Sequence, residues 1–393
     1  MLKKILHFLL AFNLFFLQAY LVRFSSTNLQ EFLILANFFV LLWVMSFREF
    51  FKALFRHRIL LTLLLLSLLA FVCLPLLDLL TALRFIKFLV FGSLLSFIFL
   101  ETYKSDQERW KGLAWLSYGA LAFGLFSLAY NLLGFNVMLD CRLAGPLDSA
   151  VYLAFYLVPA LLYFAFDVLQ TPRNFKKWIP FFLTGGLLLA TRSFGAVGGV
   201  FLVLSLYVLR HVRFAFVKTM WFKVLALILG GLFLVGAFYV KILPTLRTDY
   251  SSLDERGEIW ETSVAILKEP QAFFFGVGLG QFQIQYEQSV AEVLGREPLD
   301  YYVLQPHNFF LLFMMNYGLL GFVFVVYLMG LTFWGVFQKE PGDRVEVFAL
   351  YVLLYFFVHG FIDTPFFKND LLFLFLLFLE LGLGEKVYRF HRA

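Results

Sequence analysis

Between Pro244 and His307 an otherwise apolar chain gathers side chains suited to gripping phosphate and moving a proton. Arg247 and Arg256 supply guanidiniums, whose planar forks match phosphate oxygens. Asp254 and Glu258 supply carboxylates. Trp260 supplies a ring that is apolar on its faces and polar at one edge. The run Gly276-Val277-Gly278-Leu279-Gly280 permits a tight backbone turn, and Pro306-His307-Asn308 closes the segment. Histidine is the side chain best poised to take a proton near neutral pH. The spacing leaves His307 two readings, a hydrogen-bonded structural imidazole or a general base.

Ser252-x-x-Glu255 has the form of a capping box, which predicts a helix running to about Lys268 and ended by Pro270. Arg256, Trp260 and Val264 are four apart and share one face of it. That face either lies on the membrane surface with a snorkelling arginine or aims Arg256 at a bound pyrophosphate. The glycine run reads as a plain turn or as an anion-binding nest. It is no dinucleotide fingerprint, since no strand–helix unit surrounds it. A second helix is predicted from Gln281 to Leu294.

Two further polar sites interrupt apolar sequence. Thr191-Arg192-Ser193 places a cation at membrane depth, where an ionisable group is a functional candidate. His359-Gly360-x-x-Asp363-Thr364-Pro365 opens a loop, and Asp363 is a possible ion-pair partner for one of the arginines.

The elements that must hold these groups are membrane helices. The 393 residues are 62% hydrophobic and only 15% charged, with a mean hydropathy of +0.84. A water-soluble core cannot hide that much apolar surface. Spans are predicted near 5–22, 31–47, 59–77, 83–100, 112–133, 149–169, 178–190, 195–209, 220–243, 308–337, 346–360 and 369–384. The fold class is therefore an all-α polytopic membrane protein with about 12 transmembrane helices and one large external loop containing short amphipathic helices. Residues 1–243 hold nine spans, 244–307 the loop, and 308–393 three spans and a tail. Lys3 and Lys4 with the following apolar run imitate a signal peptide, but no cleavage pattern follows, so this is read as an uncleaved first helix.

With the N-terminus in the cytoplasm, alternate segments carry 21 of the 32 basic residues. This is the positive-inside pattern, and it puts both termini inside and the 244–307 loop outside. The net charge of +6 thus serves topology, and no nucleic-acid partner is expected. The remaining cations are Arg23, Arg84, Lys87, Arg142, Arg192, Lys241, Arg247, Arg256, Lys268, Arg296 and Lys368. They oppose the bias, and a shared anionic ligand would account for many of them. Cys73 and Cys141 form no CxxC or metal spacing, and read as two unrelated thiols or a disulfide. There is no HExxH, DxD or Walker loop, so neither metal nor nucleotide cofactor is expected.

Four stretches, taken in order, resemble the O-antigen ligase / O-antigen polymerase superfamily. They are Arg142-Leu143-Ala144-Gly145, Thr191-Arg192-Ser193 before a glycine-rich helix, Arg256 to Trp260 followed by Pro270 and Gly276-Val277-Gly278, and His307-Asn308 with Asn316-Tyr317-Gly318-Leu319-Leu320-Gly321. Asp148-Ser149 stands where the family often has Asn-Pro. The resemblance implies a GT-C-like architecture in a bacterial inner membrane, with the site facing the periplasm. It implies transfer of a glycan from undecaprenyl pyrophosphate to a sugar of lipid A–core, without metal. It would make Arg192 and Arg256 the pyrophosphate ligands and His307 the base, with Arg142, Trp260, Asn308 and Asp363 in support. An O-antigen polymerase, a protein-acceptor oligosaccharyltransferase and a non-enzymatic transporter of the lipid-linked glycan are the alternatives.

Overall fold

The computed structural model describes residues 1–24, 27–73, 77–135, 142–147, 149–211, 252–338, 343–364, 366 and 369–384. The predicted span 220–243, Arg247, Asp148 and Cys141 fall outside them. Fifteen helices are described. They are α1 Leu2–Phe15, α2 Leu29–Val44, α3 Phe47–Leu54, α4 Arg58–Cys73, α5 Leu79–Thr102, α6 Asp106–Leu132, α7 Ala150–Gln170, α8 Trp178–Ala190, α9 Phe194–His211, α10 Ser252–Ile266, α11 Pro270–Phe275, α12 Phe282–Leu294, α13 Phe309–Phe337, α14 Arg344–His359 and α15 Asn369–Leu379. The described strands are a two-residue antiparallel pair, Arg23–Phe24 with Thr27–Asn28.

Helices stand at every predicted span inside the described residues, and the chain is helical and multi-pass. Four of them, α5, α6, α7 and α13, are long and apolar enough to cross a membrane, and α3 with α4 makes a fifth if the bent pair is one span. Of the others, α1 and α2 end before the predicted spans do, α8 matches its span, and α9 and α14 slightly exceed theirs. α1 covers 14 residues, about 21 Å at 1.5 Å per residue, against roughly 30 Å of hydrocarbon. α3 starts on a capping box, with Ser46 N donating to Glu49 Oε2 at 2.9 Å, and turns by 76° into α4.

α7 and α14 form the centre of the bundle. Almost every side chain of both is buried, as expected of helices apolar all round. Large side chains such as Phe8, Phe39, Trp43 and Phe182 face outward, as lipid-facing residues do. Among the described residues, several of the cations left over by the charge bias meet carboxylates. Lys87 meets the buried Glu31 at 2.9 Å, Arg256 meets Asp363 and Arg296 meets Glu258. A shared ligand is thus not needed to explain Lys87 and Arg296.

The external segment has its own apolar core. Ile259, Ile266, Phe282, Tyr286, Val290 and Val303 pack together with Met315 of α13. Pro270 does more than stop α10, because it sits at the first position of α11, where its missing N–H costs nothing. In the glycine run three amides are already engaged, Gly276 N among them with Ala272 O at 2.9 Å. Val277 N donates to Met315 O and Gly280 N to Asn316 Oδ1, both at 2.7 Å, so those amides are spent on α13. The contact is possible because α13 breaks at Gly318, whose φ is +64°. A Cβ there would lie 2.3 Å from Phe274 O, so only glycine admits this seat.

Candidate active site

A cavity of about 310 Å³ opens where the external segment meets the bundle. Arg142, Arg256, His307 and Asp363 line it, together with the starts of α7 (Ser149, Tyr152) and α9 (Phe194, Gly195). The N-termini of α7, α9 and α13 therefore converge on one space. Each carries partial positive charge from the aligned peptide dipoles of its helix.

α10 lays out one edge. Arg256 and Trp260 point inward from the shared face, and the membrane-facing reading of these two residues is corrected. Arg256 Nη2 donates to Asp363 Oδ2 at 3.3 Å. Trp260 Nε1 donates to Pro306 O at 2.9 Å, which fixes the peptide just before His307. Val264, the third member of the face, is exposed. Glu258 leaves α10 on another side, accepting from Arg296 Nη2 at 2.5 Å and Leu299 N at 2.9 Å.

His307 is held from both sides. Asn308 caps α13, its Oδ1 accepting from Phe310 N and Leu311 N at 3.0 Å. Its Nδ2 donates to Phe361 O at 2.9 Å, and Phe309 N donates to Gly360 O at 2.7 Å. These bonds tie the start of α13 to the turn that follows α14. That turn carries Asp363, whose Oδ1 lies 3.1 Å from His307 Nδ1. Asp363 is buried and also accepts from Thr364 N at 2.8 Å. Burial alone would raise its pKa, but the His307 hydrogen bond and charge, then the Arg256 guanidinium, outweigh it, and the carboxyl sits below its ordinary value. An ionised carboxylate only accepts, so Nδ1 of His307 carries the hydrogen. In the neutral ring Nε2, across from Nδ1, is then the proton acceptor.

Arg142 reaches the cavity from the stretch before α7. Leu143 N donates to Ala190 O at 3.0 Å, so this stretch runs beside the α8–α9 break. Gly145 has a φ of +64° and lies so close to α6 that a Cβ would be 2.9 Å from Ser127 Cα. Arg192 occupies the break itself. It is exposed and does not line the cavity, although Ser193 beside it does. Among the described residues, Arg192 and His307 are the non-glycine residues with positive φ, at +50° and +46°. Such backbone costs on the order of 1–2 kcal/mol each and tends to persist where function needs it.

The structure thus brings Arg142, Trp260, Arg256, His307, Asn308 and Asp363 together and leaves Arg192 at the edge. Motif spacing did not single out Tyr152, Asp300 and Tyr302, which also line the cavity, and it gave Glu255 only a capping role and His359 only a place at the start of a loop. His359 stacks on Phe155 at 4.0 Å and shares a 2.8 Å hydrogen bond with Tyr355. Its buried place in α14 marks it as a floor residue, and its position just ahead of Asp363 was the available signal. Among the described residues, no group of three or more His, Cys, Asp or Glu is arranged to hold a metal ion.

The arrangement can orient an imidazole, stabilise growing negative charge, and hold an anionic group against helix N-termini. No curated protein matches the chain. Residues 179–326 match the family model described as O-antigen ligase. That stretch carries Arg192, Arg256 and His307, while Arg142 and Asp363 reach the site through the fold. The match supports a glycosyl-transferring role of ligase or polymerase type, and it supports placing the chain in the O-antigen ligase/polymerase superfamily.

Proposed function

We propose that the protein is an O-antigen ligase, which transfers a glycan from undecaprenyl pyrophosphate to a sugar hydroxyl of lipid A–core. The reaction would take place at the periplasmic face of a bacterial inner membrane, in a GT-C-like arrangement of about twelve spans with both termini cytoplasmic. The observation that carries the reading is the bridge made by Asp363. One carboxylate binds His307 at 3.1 Å and Arg256 at 3.3 Å on the wall of one cavity. It joins a proton acceptor to a phosphate-binding cation.

In the proposed step the acceptor hydroxyl gives its proton to His307 Nε2 as its oxygen bonds to the anomeric carbon of the donor glycan. The bond from that carbon to the pyrophosphate oxygen breaks, and its electron pair stays on the pyrophosphate. Attack opposite the leaving group inverts the anomeric centre. Charge on the pyrophosphate grows as the bond breaks, which is where fixed guanidiniums and helix N-termini lower the barrier most. Arg142 and Arg256 hold the diphosphate, and Arg192 closes on it from the edge. Asp363 keeps the imidazole in the required tautomer and becomes a stronger partner once the ring is charged. Trp260 and Asn308 hold the strained backbone of His307.

The test is reconstitution of purified protein with undecaprenyl-pyrophosphate glycan and lipid A–core. Glycan on the core identifies a ligase, longer lipid-linked chains a polymerase, and no covalent change a transporter. His307→Ala should abolish transfer while the protein remains inserted. Full activity in that variant sinks the mechanism.

A further inference from the structure

The stretch between α12 and α13 forms one wall of the cavity, through Asp300, Tyr302, Val303, Leu304 and Gln305. It has no regular secondary structure, yet it is pinned along its length. Glu258 holds Arg296 and Leu299 N. Tyr286 Oη donates to Asp300 O at 3.2 Å, and Tyr302 N donates to Asp300 Oδ1 at 2.7 Å. Val303 is buried in the external core, and Trp260 holds Pro306. The wall is therefore pre-organised.

Its side chains are nevertheless left open. Tyr302 is 65% exposed and Leu304 56% exposed. Asp300 is exposed beside them, and Glu255 lines the same cavity. Neither carboxylate has an ion-pair partner among the described residues. A carboxylate repels a diphosphate, so this wall is unsuited to the lipid carrier's head group. An aromatic face next to an acceptor-only carboxylate suits a sugar ring, which offers an apolar C–H face and a rim of hydroxyl donors. The cavity is at the small end for a ligand pocket, for which about 300–1,000 Å³ is usual. A space of this size takes only the reacting ends of the two substrates, and further glycan units must lie outside.

We infer that Asp300 and Tyr302 form the subsite for the acceptor sugar. Tyr302 faces the apolar side of the ring and Asp300 accepts from its hydroxyls. The assignment to acceptor rather than donor follows from the chain: the same pinned stretch ends at His307, so a sugar seated on it presents a hydroxyl to Nε2. The inference rests on the proposed ligase reaction and names the surface that selects its acceptor.

The experiment is two-substrate kinetics on the purified full-length protein. Lipid A–core and undecaprenyl-pyrophosphate glycan are extracted from source cells lacking the gene. Asp300→Asn keeps the oxygen that accepts from Tyr302 N and removes only the charge. Tyr302→Ala removes an exposed ring. Each should raise the KM for lipid A–core about tenfold, with kcat and donor KM within about twofold of wild type. Tyr302→Phe, which keeps the ring, should recover most of the loss seen in Tyr302→Ala. An unchanged acceptor KM, or a rise in donor KM instead, overturns the subsite while His307→Ala remains inactive. Full transfer by His307→Ala is a separate failure, that of the proposed reaction, whatever Asp300 and Tyr302 do.

Discussion

Replacing Asp363 by Asn removes one charge and almost no volume from the centre of the site. The wild-type carboxylate accepts from Thr364 N, His307 Nδ1 and Arg256 Nη2. The amide keeps one oxygen for Thr364 and His307 but turns an NH2 toward the guanidinium, so donor meets donor. A charged hydrogen bond is lost, worth roughly 1.5–3 kcal/mol. Breaking a fully buried pair costs on the order of 3–5 kcal/mol. The Arg256 side chain is 17% exposed, so the lower range is expected, read as a lower Tm in detergent. The rate should suffer more. Without an ionised partner, Nδ1 is no longer forced to hold the hydrogen, and the imidazolium formed in transfer loses its counter-charge. A fall in kcat of about 10²–10⁴ follows from comparable base-orienting carboxylates. The pH behaviour gives a second check. The folded pKa of Asp363 is depressed, so its contribution to stability is present above the unfolded value and is lost as pH falls through the folded one. Asp363→Asn should lack that part of the acid-side decline in Tm. Wild-type turnover with an unchanged acid limb in this variant would refute the role given to the bridge.

Trp260→Phe keeps an aromatic ring, though a smaller one, and deletes the hydrogen bond to Pro306 O; it should lower kcat with a stability loss of at least about 1 kcal/mol, and unchanged kcat contradicts the backbone-holding role. Gly195→Ala puts a Cβ 2.3 Å from Ile362 Cδ1 and 2.9 Å from the His359 ring, so it should displace the Asp363 turn and cut turnover. Gly318→Ala should prevent the external segment from seating, and protease digestion between residues 252 and 307 would report it. His57 lies between Glu101 and Glu380, 3.3 and 3.2 Å away. Burial lowers its pKa, but the two carboxylates prevail and raise it to about 9. The stability this gives is complete below the unfolded value of 6.5 and lost as pH climbs through the folded one, so Tm should fall between about pH 6.5 and 9. His57→Ala should be less stable than wild type at pH 7 and lack that alkaline decline.

The helical spans were readable because hydropathy fixes which stretches leave water. Their lengths were less so. Hydropathy continues past Phe15, but α1 ends there and a 3-10 turn follows at Leu17–Leu21. In the external segment the capping box gave the start of α10 within a residue, because caps are local chemistry, whereas α12 starts at Phe282 with no side-chain cap at Gln281. What spacing could not give is direction. The face carrying Arg256 and Trp260 suits lipid or an interior equally well, and only its partners Asp363 and Pro306 decide between them. The glycine run is compatible with a bound anion until α13 supplies Met315 O and Asn316 Oδ1. Tyr302 and Asp300 had no periodic pattern to flag them, since an irregular wall has no repeat. His307 and Arg192 were picked by residue type and position, and their left-handed backbones are invisible to any spacing rule.

The three groups of the bridge lie far apart along the polypeptide. Asp363 follows Arg256 by 107 positions and His307 by 56. During synthesis the earlier two are made well before the carboxylate. A partly made or prematurely stopped product thus holds a cation and an unaligned imidazole but no link between them. Under the proposed reaction it would be unable to transfer glycan until the last turn has folded against α13.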